Sequence, residues 1–257
     1  MLVDLLNNKR VNMKNITKLL ILVSLSSLFS CEVSEGEGGS GKISGLITEE
    51  RYNDDYSLLI SSAPAMDKNV YILFGDDKTV GEQVETSAEG YFEFPYLYEG
   101  NYTIYYYSDD KENPGEEIAI SVSVDLANGE SEDLGELITY EHLEFDDGKA
   151  SIYGKVYEIQ YSKNSYYPNL VPEDTLILTE KEVYLTYGNH LFYDERVRTQ
   201  EDGSFYFQDL IPGDYKIVVY GEDVMGTDQQ TATTRYITIE ENTDEIHAVD
   251  DIYVANM

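Results

Sequence analysis

The side chains in this sequence that could do chemistry are few and far apart. There is one cysteine, Cys31, and the three histidines, His142, His190 and His247, stand at scattered positions. A single thiol excludes an intrachain disulfide and a cysteine-based zinc cage. No His-Glu-x-x-His pair sets two imidazoles over a metal, and no Gly-x-Ser-x-Gly turn raises a serine nucleophile. Acids abound, but a catalytic carboxylate pair needs surroundings that split its pKa values, and nothing in the pattern places two acids inside an apolar pocket. The pairs Asp54-Asp55, Asp76-Asp77, Asp109-Asp110 and Glu222-Asp223 fall where loops are expected. Ca²⁺ needs six to eight converging oxygens, and none of these pairs has the Asp-x-Asp-x-Asp-Gly spacing of a calcium loop. They read as solvated. The expectation is no catalytic residue, no metal ligand and no cofactor, Ca²⁺ being the one ion so acidic a surface would suit.

The setting of Cys31 gives it a different chemistry. Lys14 and Lys18 precede the apolar run Leu19-Leu20-Ile21-Leu22-Val23, which continues through Leu25 to Leu28-Phe29, and Ser30 and Cys31 close it. A basic flank, a short apolar core and a small residue at the cut make a secretory signal peptide. The core is too short to cross a bilayer of ~30 Å as a helix. Leu28-Phe29-Ser30-Cys31 resembles the lipobox of bacterial lipoproteins. The resemblance implies cleavage between Ser30 and Cys31 and a diacylglycerol on the Cys31 thiol. Residues 1–30 are thus expected to be a signal peptide, with Met13 an alternative start. Residues 31–40, rich in Gly, Ser and Glu, read as a flexible acidic tether. Acids directly after the lipidated Cys resemble the surface-export signals of Bacteroidetes lipoproteins. The implied location is the outer membrane, lipid-anchored and facing the cell surface, with the periplasmic face as the alternative.

Charge narrows the partners. The chain carries 17 Lys and Arg against 50 Asp and Glu, a net −33. Beyond Cys31 the balance is thirteen basic against forty-nine acidic residues, a net −36. Such a surface repels nucleic-acid phosphates and anionic headgroups, so no nucleic-acid partner is expected, and membrane attachment rests on the lipid at Cys31.

An internal repeat organises the rest. Val70-Tyr71-Ile72 matches Val183-Tyr184-Leu185, and Thr86, Gly90, Phe92 and Phe94 match Thr199, Gly203, Phe205 and Phe207. Leu97, Gly100, Tyr102 and Ile104 match Leu210, Gly213, Tyr215 and Ile217, all at a spacing of 113 without a gap. Later positions, such as Val122 with Ile237 and Leu137 with Ile252, match at 115, and Gly45 matches Gly154 at 109. Two copies of one domain are expected, at residues 41–140 and 148–257, joined by an acidic linker at 141–147.

Each copy reads as short strands between turns. Ile43, Gly45 and Ile47 alternate with polar residues, as do Ile152, Gly154 and Val156. Glu89-Gly90 and Asp202-Gly203 read as tight turns before the Phe-x-Phe strands. About seven strands in about 100 residues match a Greek-key β-sandwich. The expected fold is therefore all-β, two tandem seven-stranded Greek-key sandwiches after the signal peptide.

The run Thr-x-x-(Glu/Asp)-Gly-x-Phe-x-Phe-x-x-Leu-x-x-Gly-x-Tyr-x-Ile, preceded by Val-Tyr-(Ile/Leu), resembles the carboxypeptidase-regulatory-like, transthyretin-like (prealbumin-like) domains. Cna-B and SdrD-B modules of surface proteins share that plan. The resemblance implies a spacer, stalk, binding platform or appendage rather than one activity. It also draws attention to Lys–Asn isopeptide crosslinks. Lys42 and Lys149 lie near the first strands, but the last strand of the first copy has no Asn and the second has only Asn256. No crosslink is expected.

Twenty-four tyrosines and no tryptophan complete the inventory. Most suit strands. Residues 160–176 read as a long loop carrying Tyr161, Tyr166 and Tyr167, which could stack on sugar rings while nearby acids bond hydroxyls. The expected function is a non-enzymatic, membrane-anchored lipoprotein with a structural, adhesive or accessory role, its protein or glycan partner unknown. The alternative is a carbohydrate-binding surface lipoprotein using Tyr161, Tyr166 and Tyr167.

Overall fold

The computed structural model describes residues 35–113, 115–224 and 230–256. Ser30 and Cys31, and with them the expected cleavage and lipidation, lie outside the described residues. Those described form two β-sandwiches and contain no helix.

The first sandwich comprises β1 (Glu37–Asn53), β2 (Leu59–Pro64), β3 (Asn69–Phe74), β4 (Glu82–Glu85), β5 (Tyr91–Leu97), β6 (Gly100–Asp109), β7 (Glu117–Leu126) and β8 (Ser131–Leu143). The second repeats it with β9 (Ala150–Tyr161), β10 (Pro172–Ile177), β11 (Glu182–Tyr187), β12 (Glu195–Arg198), β13 (Ser204–Leu210), β14 (Gly213–Glu222), β15 (Gln230–Ile239), β16 (Ile246–Ala248) and β17 (Ile252–Asn256). One sheet of each unit is antiparallel, ordered β4-β3-β6-β7 and β12-β11-β14-β15. In the other, the long strand β1 or β9 is central, with β2 and β5, or β10 and β13, antiparallel to it. β8 lies parallel along β1, and β16 and β17 take its place along β9.

The alternating residues turn inward. Ile43, Ile47, Val70, Ile72, Phe92, Phe94, Leu97, Tyr102 and Ile104 fill the first core. Ile152, Val156, Val183, Leu185, Phe205, Phe207, Leu210, Tyr215 and Ile217 fill the second. Each such side chain stabilises by ~1.5–3 kcal/mol when fully buried. The repeated glycine is set by packing. A Cβ on Gly45 would stand 2.9 Å from the Phe92 ring, and one on Gly154 2.5 Å from Phe205. The repeated tyrosine closes a corner. The Tyr102 hydroxyl donates to the Tyr98 carbonyl at 2.8 Å, and the Tyr215 hydroxyl to the Ile211 carbonyl at 2.7 Å. Burial pushes both hydroxyl pKa values upward. The repeated threonine is a bracket: Thr199 donates to the Leu178 carbonyl at 2.6 Å and accepts the Lys181 N–H at 2.9 Å. Thr86 does the same between Ala65 and Lys68.

The structure departs from the sequence expectation at the edges. The first sandwich has eight strands rather than seven, because β2 is also a strand. Its counterpart β10 takes residues 172–177 out of the expected loop at 160–176. Both are edge strands; β10 is exposed at every position and β2 has no fully buried residue, so neither carries an alternating pattern. The expected tether also shortens. β1 begins at Glu37, and the Tyr98 N–H donates to the Gly36 carbonyl at 3.0 Å. In the second unit the Ile211 N–H meets the Phe145 carbonyl at 3.0 Å, the donor 113 and the acceptor 109 residues on. The approach to each first strand is thus the same structure, although one was expected as tether and the other as linker. Likewise β8 runs through Glu141 and His142 to Leu143, paired with Arg51, Tyr52 and Asn53, so these linker residues belong to a sheet.

The sandwiches touch. Ile60 and Phe145 pack against the second core, and Leu143 belongs to it.

Candidate binding face

The connection from the third to the fourth strand occurs twice with one backbone. Gly75 and Gly188 both adopt the left-handed region, at φ 56° and 51°. The N–H groups of Gly75, Asp77 and Gly81 donate to Asn101, Phe74 and Ile72. Those of Gly188, His190 and Asp194 donate to Asp214, Tyr187 and Leu185, every partner 113 residues on. The side chains differ completely. Gly-Asp-Asp-Lys-Thr-Val-Gly in the first sandwich becomes Gly-Asn-His-Leu-Phe-Tyr-Asp in the second.

Leu191 is 94% exposed and Phe192 82% exposed, and Tyr193 beside them is also open. They stand at one side of the outer face of the β12-β11-β14-β15 sheet. Across that face Thr186, Lys216 and Tyr236 form one row of paired positions, with Tyr184, Val218 and Thr234 in the next. Tyr184 meets Tyr193 edge-on at 5.0 Å and Tyr220 at 5.7 Å. Tyr236 is 78% exposed. Two open hollows flank Lys216. One, of about 670 Å³, is lined by Asn189, Asp214, Lys216, Tyr236 and Thr238 among others. The second, of about 380 Å³, is lined by Tyr184, Thr186, Phe192, Tyr193, Val218 and Tyr220 with Lys216.

His190 fixes the base of the loop and joins the two sandwiches. Its Nδ1 lies 2.7 Å from Asp194 and its Nε2 2.9 Å from Asp54, in the turn after β1. With a carboxylate at each nitrogen, both must donate for both contacts to be hydrogen bonds, which is the imidazolium form. The Asp194 hydrogen bond holds the His190 pKa above its ordinary value, and Asp54 adds to it. Asp194 also accepts the Tyr187 N–H at 2.7 Å. Burial pushes the Tyr187 hydroxyl up to about 12.

The other expected residues are apart from this face. Tyr161 ends β9 and lines a hollow of about 480 Å³ with Lys163, Asn164, Glu173 and Asn256. Tyr166 and Tyr167 are exposed but do not line it. Several of the acids have partners besides the Asp54–His190 contact. Asp55 accepts from Asn53 and Ser57, Asp109 takes the His142 N–H and meets its Nδ1, and Asp110 accepts from Asn113. Among the described residues no three His, Cys, Asp or Glu converge as a metal site. Lys42 pairs with Glu93 at 2.8 Å, and the Asn256 amide donates to Glu158 at 2.8 Å.

No family model matches the chain, and no curated protein is significantly similar to it. Solved structures give weak likenesses. The minor pilin GBS52 of Streptococcus agalactiae is 13% identical, with a TM-score of 0.31, covering 85% of this chain and 97% of its own. The shaft pilin spaA of Lactobacillus rhamnosus GG is 9% identical, with a TM-score of 0.26, over 84% and 98%. A fimbrial protein of Bacteroides ovatus is 8% identical, with a TM-score of 0.23, over 85% and 50%. Likenesses this distant carry no weight in the functional reading.

Proposed function

We propose that this chain is a non-enzymatic adhesive or accessory lipoprotein of the cell surface. A lipid on Cys31 holds it to the outer membrane, the first sandwich is a spacer, and the second makes contact through the loop at residues 188–194 and the sheet face beside it. One observation carries the reading. Leu191 and Phe192 are almost wholly exposed on a loop whose backbone the first sandwich forms with Lys78 and Thr79. The fold does not need them, and clustered exposed apolar groups mark interaction sites.

The test is adhesion of cells displaying the protein. The double variant Leu191→Ser/Phe192→Ser should reduce attachment at least tenfold, with an unchanged melting curve. Attachment equal to wild type would sink the assignment of this face. Cys31→Ser should release a folded protein from the membrane fraction, and a variant still bound there would remove the anchor.

A further inference from the structure

Resting on that reading, we propose that the trough around Lys216 binds an uncharged oligosaccharide. A pyranose ring has weakly positive C–H groups on its faces and hydroxyls around its edge. It therefore suits rings whose faces carry negative quadrupole density, with donors and acceptors set between them. The trough has both. Phe192, Tyr193, Tyr184 and Tyr220 surround one hollow, and Tyr236 stands over the other. Between them lie the Lys216 ammonium and the Asp214 carboxylate, which accepts from Thr238 at 2.6 Å.

Charge and shape choose among ligands. The net −36 beyond Cys31 repels polyanions. A basic peptide suits the molecule as a whole, but on this face it would set its charges against the Lys216 ammonium. The Lys216 ammonium has no ion-pair or hydrogen-bond partner among the described residues. Lysine is depleted from the cores of protein interfaces, where an unpaired ammonium would be desolvated. Sugar hydroxyls would keep it solvated. The row Thr186–Lys216–Tyr236 crosses three strands, roughly 10 Å at the usual strand spacing, which suits a short stretch of glycan.

Val218 makes the room. The first sandwich has Tyr105 at the matching position, stacked on Tyr71 at 4.9 Å. The second has Val218 opposite Tyr184, and the missing ring leaves the 380 Å³ hollow.

Affinity electrophoresis tests this with the protein lacking residues 1–30, in gels containing xyloglucan, galactomannan or a mixed-linkage glucan, with alginate as the anionic arm. At least one uncharged polysaccharide should retard the wild type. Phe192→Ala, Tyr236→Ala and Val218→Tyr should each weaken retardation at least tenfold, while Tyr166→Ala/Tyr167→Ala should not. Retardation by alginate alone would overturn the ligand class, and loss only in the Tyr166/Tyr167 variant would overturn the location. If no polysaccharide retards the wild type while Leu191→Ser/Phe192→Ser still abolishes cell attachment, the glycan inference falls and the contact face stands. If attachment also survives that variant, both fall. Melting curves separate loss of binding from loss of fold, and Phe192, at an exposed loop tip, is the variant least able to unfold the domain.

Discussion

The outer faces of the two antiparallel sheets descend from one pattern and have been put to different use. In the first sandwich Tyr71 stacks on Tyr105 at 4.9 Å and Tyr107 closes on it edge-to-face at 5.9 Å. The rings cover one another. In the second, Tyr184 and Tyr220 keep their places, Val218 replaces the middle ring, and Lys216 replaces Thr103. A packed tyrosine ladder becomes a trough, and the loop above it changes from charged to apolar. Positions that hold the fold (Gly45/Gly154, Thr86/Thr199, Tyr102/Tyr215) are kept in both copies. A duplication thus separates what folding requires from what the surface is free to change.

That contrast can be broken at its strongest point. Phe94→Ala and Phe207→Ala remove equivalent buried rings and should each destabilise their own sandwich by about 3–5 kcal/mol. Calorimetry should show the first variant lowering one transition and the second lowering the other. A single transition shifted equally by both would mean that the sandwiches unfold as one. Next, exchanging Leu191-Phe192-Tyr193 for Lys-Thr-Val should abolish attachment yet move stability by only about 0.5 kcal/mol, as expected for a surface change. A loss of several kcal/mol in urea unfolding would show that the apolar loop serves the fold.

Tyr102→Phe and Tyr215→Phe delete matching corner hydrogen bonds, each worth about 1 kcal/mol. Equal losses in denaturant titration would sharpen the equivalence. The smallest effect belongs to the contact without a counterpart, since Asp77 stands where the second copy has His190. A histidine whose folded pKa is raised contributes stability that is fully present below its unfolded pKa, about 6.5, and is lost as pH rises through the folded value. The partly exposed pair should contribute about 0.5–1 kcal/mol. The difference in stability between wild type and His190→Asn should shrink from pH 6 to pH 8.5; a constant difference would mean that the proton has no part in it.

Much of the fold was legible. Ile43, Gly45 and Ile47, and the Phe-x-Phe pairs, announce strands with one buried face, and the gapless match at 113 announces two domains. β2 and β10 were not legible: β10 is an edge strand exposed at every position, and β2 turns only Ile60 toward a core, that of the other sandwich, so neither alternates. The exposed apolar loop at residues 188–194, proposed as the contact face, was missed for another reason. Leu191-Phe192-Tyr193 resembles buried sequence when read alone, whereas the tyrosines of residues 160–176 look exposed and drew the expectation. The signal lay in the repeat, which sets Leu, Phe and Tyr against Lys78, Thr79 and Val80. No local pattern reports that His190 lies between carboxylates 136 positions upstream and four downstream, since that depends on how the sandwiches meet.

The parallel pairing of β1 and β8 has a mechanical consequence. From Lys42 opposite Ser131 to Asn53 opposite Leu143, the two strands lie side by side and point the same way. With the anchor proposed ahead of β1 and the gripping face beyond β8, tension on an attached cell enters this ladder at one end and leaves at the other. It drags the strands along each other, so the rungs resist together rather than opening singly as in a peeled hairpin. In the second sandwich the load passes from β9 to the outer sheet, and the ladder with β16 and β17 lies outside its path. On the proposed reading, the first copy, as spacer, is the one set to bear the pull.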